Sequence, residues 1–229
     1  WHSVRAGTLD AASFHLAPNA GEVAINGAID LSGLSPTPED LRRVIDAFDP
    51  ILSARYERDF NMLVMTYWLF QPQLTMCRTE VAGLEDLRGL KVRVSGKSQA
   101  EFMESIGAVP INMSFPEVQT ALQTGVIDCG ITSAMSAYKS GWAEAVNYLY
   151  PLPISWGTNA FLFNRDKWNA LDPQVRSFLE TEIDWLGEAM WQHNLKESEA
   201  GLACLTGDGE CSEGKPASVQ LVPVRDEDR

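Results

Sequence analysis

Arg93 is the residue of this chain whose type and setting point most directly to chemistry. It lies in Leu90-Lys91-Val92-Arg93-Val94, where apolar and basic residues alternate with the two-residue period of a strand. Leu90, Val92 and Val94 therefore share one face, and Arg93 points the other way. A guanidinium offers a planar fork of donors that fits a planar carboxylate, so the chemistry expected is recognition of an anion rather than the making of bonds. Residues for bond-making are not arranged for it: the chain has no nucleophile elbow and no phosphate loop. His2, His15 and His193 show no ligand spacing with each other or with the cysteines, so no metal and no cofactor is expected.

The four cysteines carry the other covalent possibility. Cys204 and Cys211 bracket Leu-Thr-Gly-Asp-Gly-Glu, a turn-rich segment that lets the chain fold back and bring the sulfurs together. A disulfide is expected there, with two free thiols as the alternative. Cys77 and Cys129 fall on neighbouring predicted strands, where a second bridge and two buried thiols are both open. Two bridges would imply an oxidising compartment.

The elements around Arg93 form a series. After the strand at 90–94, Phe102, Met103 and Ile106 have helical spacing, and Gly107 supplies a left-handed cap. A strand at 109–113 follows. Ser114 with Glu117 three residues on reads as a capping box opening a helix that buries Val118, Ala121 and Leu122 and stops at Gly125. Another strand is expected at 126–131. Strand, helix, strand, helix, strand requires a parallel or mostly parallel sheet, whose ligands bind beyond the carboxyl ends of its strands. Arg93 is near one such end.

Elsewhere, Thr37-Pro38-Glu39-Asp40 has a cap, a proline at the first helical position and early acids, with Leu41, Val44, Ile45 and Phe48 at helical spacing. Asp49-Pro50 is expected to restart that helix. Residues 62–70 read as a buried strand and 159–164 as another. Asp172-Pro173 opens a long helix with an apolar stripe of Val175, Phe178, Leu179, Ile183, Leu186 and Met190, read as packing. The only linker-like composition is at 207–217.

Composition is that of an ordinary soluble globular chain: 229 residues, 45% hydrophobic and 21% charged. A net charge of -13 argues against a nucleic-acid partner, which would need clustered Lys and Arg. The longest apolar run, 62–70, is about half of the roughly 20 residues that a membrane-spanning helix needs.

The stretch Asp86-Leu87-Arg88-Gly89-Leu90-Lys91-Val92-Arg93-Val94, then Gly107-Ala108, Phe115, Glu117-Val118 and Ala121-Leu122-Gln123-Thr124-Gly125-Val126-Ile127-Asp128, resembles the signature of the solute-binding proteins of tripartite ATP-independent periplasmic (TRAP) transporters. Val4-Arg5-Ala6-Gly7-Thr8-Leu9-Asp10 is similar to an earlier turn of that family. The resemblance implies an α/β, two-lobed periplasmic-binding-protein fold of type II-like character, with a cleft between the lobes that closes on a solute. One lobe would hold 1–72 and 158–198, with the long helix, and the other 73–157 and 199–229. Against that pattern the chain looks truncated at both ends, lacking a first strand-helix-strand unit and a last helix. The implied function is capture of a small organic acid in the periplasm for TRAP membrane subunits, without catalysis. A ligand-sensing module of the same fold is the alternative.

The resemblance also assigns site residues. Arg93 matches the arginine that grips the solute carboxylate, and Phe115 an aromatic packed against the ligand. Thr132, with Ser133 beside it, stands where many members carry an asparagine. Gln73 stands near a position that is often a second arginine, and Trp156 near another polar ligand contact. Trp68 could wall the site with Trp156, with core packing as the equal reading, and His15 follows the early turn in the other lobe. These departures favour a monocarboxylate with an apolar or aromatic body over a sialic-acid-like or uronate solute.

Overall fold

Cap and turn residues set the ends of the elements. The computed structural model describes residues 1–228, with helices α1 (His2–Arg5), α2 (Pro38–Phe60), α3 (Lys97–Ser105), α4 (Phe115–Thr124), α5 (Ala134–Lys139), α6 (Arg165–Asn169) and α7 (Pro173–Thr206). The strands are β1 (Ala11–His15), β2 (Met62–Cys77), β3 (Lys91–Val94), β4 (Val109–Asn112), β5 (Cys129–Thr132), β6 (Tyr148–Asn164) and β7 (Gln220–Leu221). The chain is mixed α/β and divides into two compact units: unit 1 holds 1–30, 37–70 and 157–194, and unit 2 holds 31–36, 71–156 and the described residues from 195 on. Both β2 and β6 pass from one unit to the other, which is why the apolar runs at 62–70 and 159–164 are only parts of longer strands. Residues 31–36 join unit 2, where the Gly33 N–H donates to the Ile154 carbonyl at 2.8 Å; so short a polar loop carries no periodicity to reveal its side.

In unit 1, β1 pairs antiparallel with β6, from Ala11 opposite Phe163 to His15 opposite Asn159. Helix α2 opens on a reciprocal capping box between Thr37 and Asp40 and closes on Asn61 in the left-handed conformation. It runs unbroken through Pro50, rather than restarting there. The cost of the missing N–H is one backbone bond. Helix α7 begins with the Asp172 carboxylate accepting from the Gln174 N–H at 2.8 Å. Its expected stripe is only partly buried: Ile183 packs with Phe163 and Trp168, while Val175 and Phe178 are exposed.

In unit 2, β5, β3 and β4 form the parallel ladder that the βαβ series requires, and β2 joins β5 antiparallel. Alternation sorts the strand residues between two cores. Val92, Val94, Cys129, Ile131 and Cys77 pack with Leu87, Met103 and Ile154 on one side. Leu74 and Met76 pack with Val118, Leu122, Ile127 and Trp142 on the other. Each fully buried Leu, Ile, Val or Met contributes about 1.5–3 kcal/mol by its removal from water. Gly107 and Gly125 take φ of 83° and 75°, the left-handed turns at the ends of α3 and α4 that their spacing predicted. The capping box at Ser114 does not close: its hydroxyl donates to the Glu117 carboxylate at 2.6 Å instead of accepting from the helix backbone.

Both cysteine pairs are bridged. Cys77 and Cys129 are directly opposite in the β2–β5 register, with Cα atoms 4.1 Å apart, and Cys204 closes onto Cys211 at the end of α7. Among the described residues no cysteine is free, and no helix is long and apolar enough to cross a membrane.

Candidate functional site

The site is built at the carboxyl ends of β3 and β5 in unit 2. Arg93 faces Gly130 in the parallel register, and the two-residue period puts Thr132 on the same side of the sheet. Leu74, the partner of Thr132, and Met76, the partner of Gly130, belong to that side too. Along β2, Gln73 comes directly before Leu74, Thr132's partner.

Arg93 is buried, with 5% of its surface exposed. Its Nε–H donates to the Met113 carbonyl at 3.1 Å and its Nη1 to the Ile131 carbonyl at 3.0 Å. These are backbone acceptors from β5 and from the turn after β4, so the fork is aimed without being neutralised. Of the five N–H groups of a guanidinium two are used, which leaves three on the Nη atoms. Among the described residues no carboxylate forms an ion pair with Arg93. Burial pushes its pKa down, and no acid acts to raise it. A guanidinium nevertheless stays charged at neutral pH, so the side chain is a desolvated cation held by dipoles.

Beneath the guanidinium lies an aromatic floor. Arg93 Cζ is 5.7 Å from the Phe115 ring centroid, and Phe115 packs on Trp142 at 5.5 Å between centroids. Trp142 is fully buried, and its ring lies against Gly130, where an added Cβ would come within 2.8 Å of Cζ3. A glycine inside a strand marks such a close approach, and this was the available signal for Trp142, which sequence reasoning missed. The carbonyls of Met113 and Ile131 were also missed; backbone acceptors leave no trace in side-chain type.

The remaining candidates divide. Ser133 caps α5, accepting from the Ser136 N–H at 3.2 Å and donating to the Ser136 hydroxyl at 2.8 Å, so its hydroxyl is engaged in structure. Thr132 is buried at the strand end. The Gln73 amide donates to the Gln71 carbonyl at 3.0 Å, a local bond that puts no charge beside Arg93. Trp156 belongs to unit 2 and is buried, with its indole N–H unpartnered. Trp68 and His15 belong to unit 1. There Trp68 packs on Phe161 at 6.5 Å, and His15 meets the edge of Phe70 at 5.6 Å, with Nε2 at 3.7 Å from the Asp30 carboxylate. Among the described residues no cluster of His, Cys, Asp and Glu is arranged to hold a metal ion.

The profile of the bacterial extracellular solute-binding proteins, family 7, matches residues 2–210. The chain belongs to that family. Family 7 is one of extracytoplasmic binding proteins, which agrees with the two disulfides, and it is the TRAP solute-binding family to which the sequence pointed. A solute-binding protein of Chromohalobacter salexigens is 29% identical over 147 residues, covering 63% of this chain and 44% of that protein. The chain thus spans between about a third and a half of the family 7 relatives it matches. Among solved structures, a TRAP periplasmic solute-binding protein from Desulfovibrio salexigens with bound orotic acid superposes with a TM-score of 0.83 at 20% identity, over 99% of this chain and 71% of that one. Another from Chromohalobacter salexigens with bound D-glucuronate gives 0.81 at 21% identity, over 99% and 73%. These likenesses establish the two-lobed family 7 fold. The family and its neighbours are binding proteins rather than enzymes.

Proposed function

We propose that this chain captures a small organic acid outside the cytoplasm for a TRAP-type transporter and grips the acid's carboxylate with Arg93. One observation carries the reading: a buried guanidinium, oriented by two backbone carbonyls, with three N–H groups left and no carboxylate of its own. An acid arriving there pairs with a cation whose desolvation has already been met by the fold, and the Nη fork binds both of its oxygens. Phe115 and Trp142 supply an apolar wall below it.

The solute favoured is a monocarboxylate with an apolar or aromatic body. Gln73 is neutral and turned to Gln71, Thr132 offers one hydroxyl, and Trp156 offers one indole N–H, a sparse polar set for a sugar acid. The orotate and D-glucuronate of the structural neighbours share the carboxylate and differ in the body, which supports the acid and leaves this chain's own side chains to select the rest. No step of covalent chemistry belongs to the reading, and the partners are the TRAP membrane subunits.

The test is thermal-shift and calorimetric screening of the purified chain against organic acids, aromatic and aliphatic monocarboxylates beside uronates and dicarboxylates. Stabilisation by monocarboxylates that Arg93→Ala abolishes is the expected result. Stabilisation confined to sugar acids overturns the solute class, and binding unchanged in Arg93→Ala overturns the site.

A further inference from the structure

Three residues from three strands of unit 1 meet at the points where the chain leaves that unit. Phe70 is the last residue of β2 in unit 1, and Gly157 is the first residue of β6 in it. His15, the last residue of β1, fills the space at both. A Cβ built on Gly157 would lie 2.2 Å from His15 Cε1, 3.1 Å from His15 Nε2 and 2.8 Å from Phe70 Cβ. The His15 and Phe70 rings meet edge to face, with centroids 5.6 Å apart and planes at 85°. No side chain fits at 157 while the imidazole is in place.

The backbone that carries the imidazole is held as well. His15 is in the β1–β6 ladder opposite Asn159, its carbonyl accepts from the Asn19 side chain at 2.8 Å, and the next residue, Leu16, donates its N–H to Thr158 at 2.9 Å. Its Nε2 is 3.7 Å from the carboxylate of Asp30, which is itself buried.

The geometry points to His15 as a positioning residue: a wedge that holds the backbone of β2 at Phe70 and of β6 at Gly157, the two places where strands pass out of unit 1. A glycine at such a place is otherwise the softest point of a strand, because it has no side chain to restrict φ and ψ. With His15 against it, Gly157 loses that freedom by contact rather than by its own chemistry. This role does not depend on which solute is bound, or on whether Arg93 binds one.

Hydrogen exchange of the intact, unliganded chain reads the wedge directly. In His15→Ala the amides of 70–73 and of 156–159 are expected to exchange about tenfold faster or more, while those of α2 and of β3 to β5 keep their protection. His15→Phe, which retains a flat ring, is expected to exchange like the wild type at both places. Gly157→Ala is expected to lose protection there, and the double variant His15→Ala with Gly157→Ala to be less perturbed than the two single changes combined, since removing the ring removes the clash. Acceleration spread evenly over unit 1, or confined to 11–19, overturns the proposal, as does a fully additive double variant. Should His15→Ala fail to fold, the pair His15→Phe and Gly157→Ala decides it: protection kept in the first and lost locally in the second supports the wedge, and any other outcome overturns it.

Discussion

Arg42 and Arg93 both lie over aromatic rings, and of these two only Arg42 has a carboxylate of its own. Arg42, on α2 in unit 1, has its Cζ 4.1 Å from the Trp191 ring centroid, and Nη2 meets the Glu188 carboxylate at 2.9 Å. It is exposed at the rim of a pocket of about 330 Å³ lined also by Asp46, Asp49, Thr66 and Tyr67. Tyr67 and Ser53 both donate to Asp49, at 2.7 and 2.6 Å, so the carboxylate in that pocket is already engaged. Arg93 in unit 2 has the reverse arrangement: buried, oriented by carbonyls, and without an acid. A cation that carries its counter-ion has its charge met within the fold, and a buried one without it is the group that the proposed carboxylate would satisfy.

The largest effect expected concerns what ties β2 to β5, the strand beside Arg93. Replacing Cys77 and Cys129 together by Ala releases a loop of 52 residues and is expected to cost about 4 kcal/mol, against about 2 kcal/mol for the 7-residue loop of Cys204 and Cys211. Thermal melts under non-reducing conditions measure both. If the short loop matters as much as the long one, the bridge between β2 and β5 adds no more than the one at the end of α7.

Next comes the arginine itself. Arg93→Ala is expected to weaken binding of a cognate acid by about 100-fold or more, the effect of removing one partner of a desolvated charge pair, and calorimetry reads it. Arg93→Met, which keeps the volume and removes the buried charge, is expected to bind no acid and yet to melt at or above the wild-type temperature. A large loss of stability in that variant would mean that Arg93 is structural after all.

The floor gives a smaller change. Gly130→Ala forces a methyl into Trp142, and overpacking of that kind costs about 1–3 kcal/mol. A melting temperature unmoved in that variant would show that the Trp142 ring can shift away from the strand. This contact also marks how far the sequence was legible. The βαβ series around Arg93 was read to within one to three residues, because alternation, helical spacing and the glycine caps at 107 and 125 are local signals. The side of the strand that Arg93 takes was legible for the same reason, but the alternation gives Lys91 the same side, and it was the resemblance that set Arg93 apart. Met113, Ile131 and Trp142 were not, since what they contribute is a carbonyl or a close approach that depends on strands meeting across the sheet. The failed box at Ser114 is of another kind: the local signal was present, and a different pairing of the same groups prevailed.

The smallest effect belongs to Arg42. Arg42→Ala removes an exposed ion pair with Glu188, which contributes at most about 1 kcal/mol and is screened by salt, together with its stacking on Trp191, about 0.5–1 kcal/mol where exposed. The net expected loss is under about 2 kcal/mol, with affinity for any carboxylate unchanged. Its salt dependence sharpens the contrast further. Raising the salt concentration should shrink the difference between Arg42→Ala and wild type, because both members of the pair face water. The buried guanidinium of Arg93 is shielded from that screening, so its contribution to binding should fall much less over the same range. An Arg42→Ala variant that lost acid binding as fully as Arg93→Ala would show that a guanidinium with its own carboxylate can still recruit another, and burial without a counter-ion would no longer mark the binding residue.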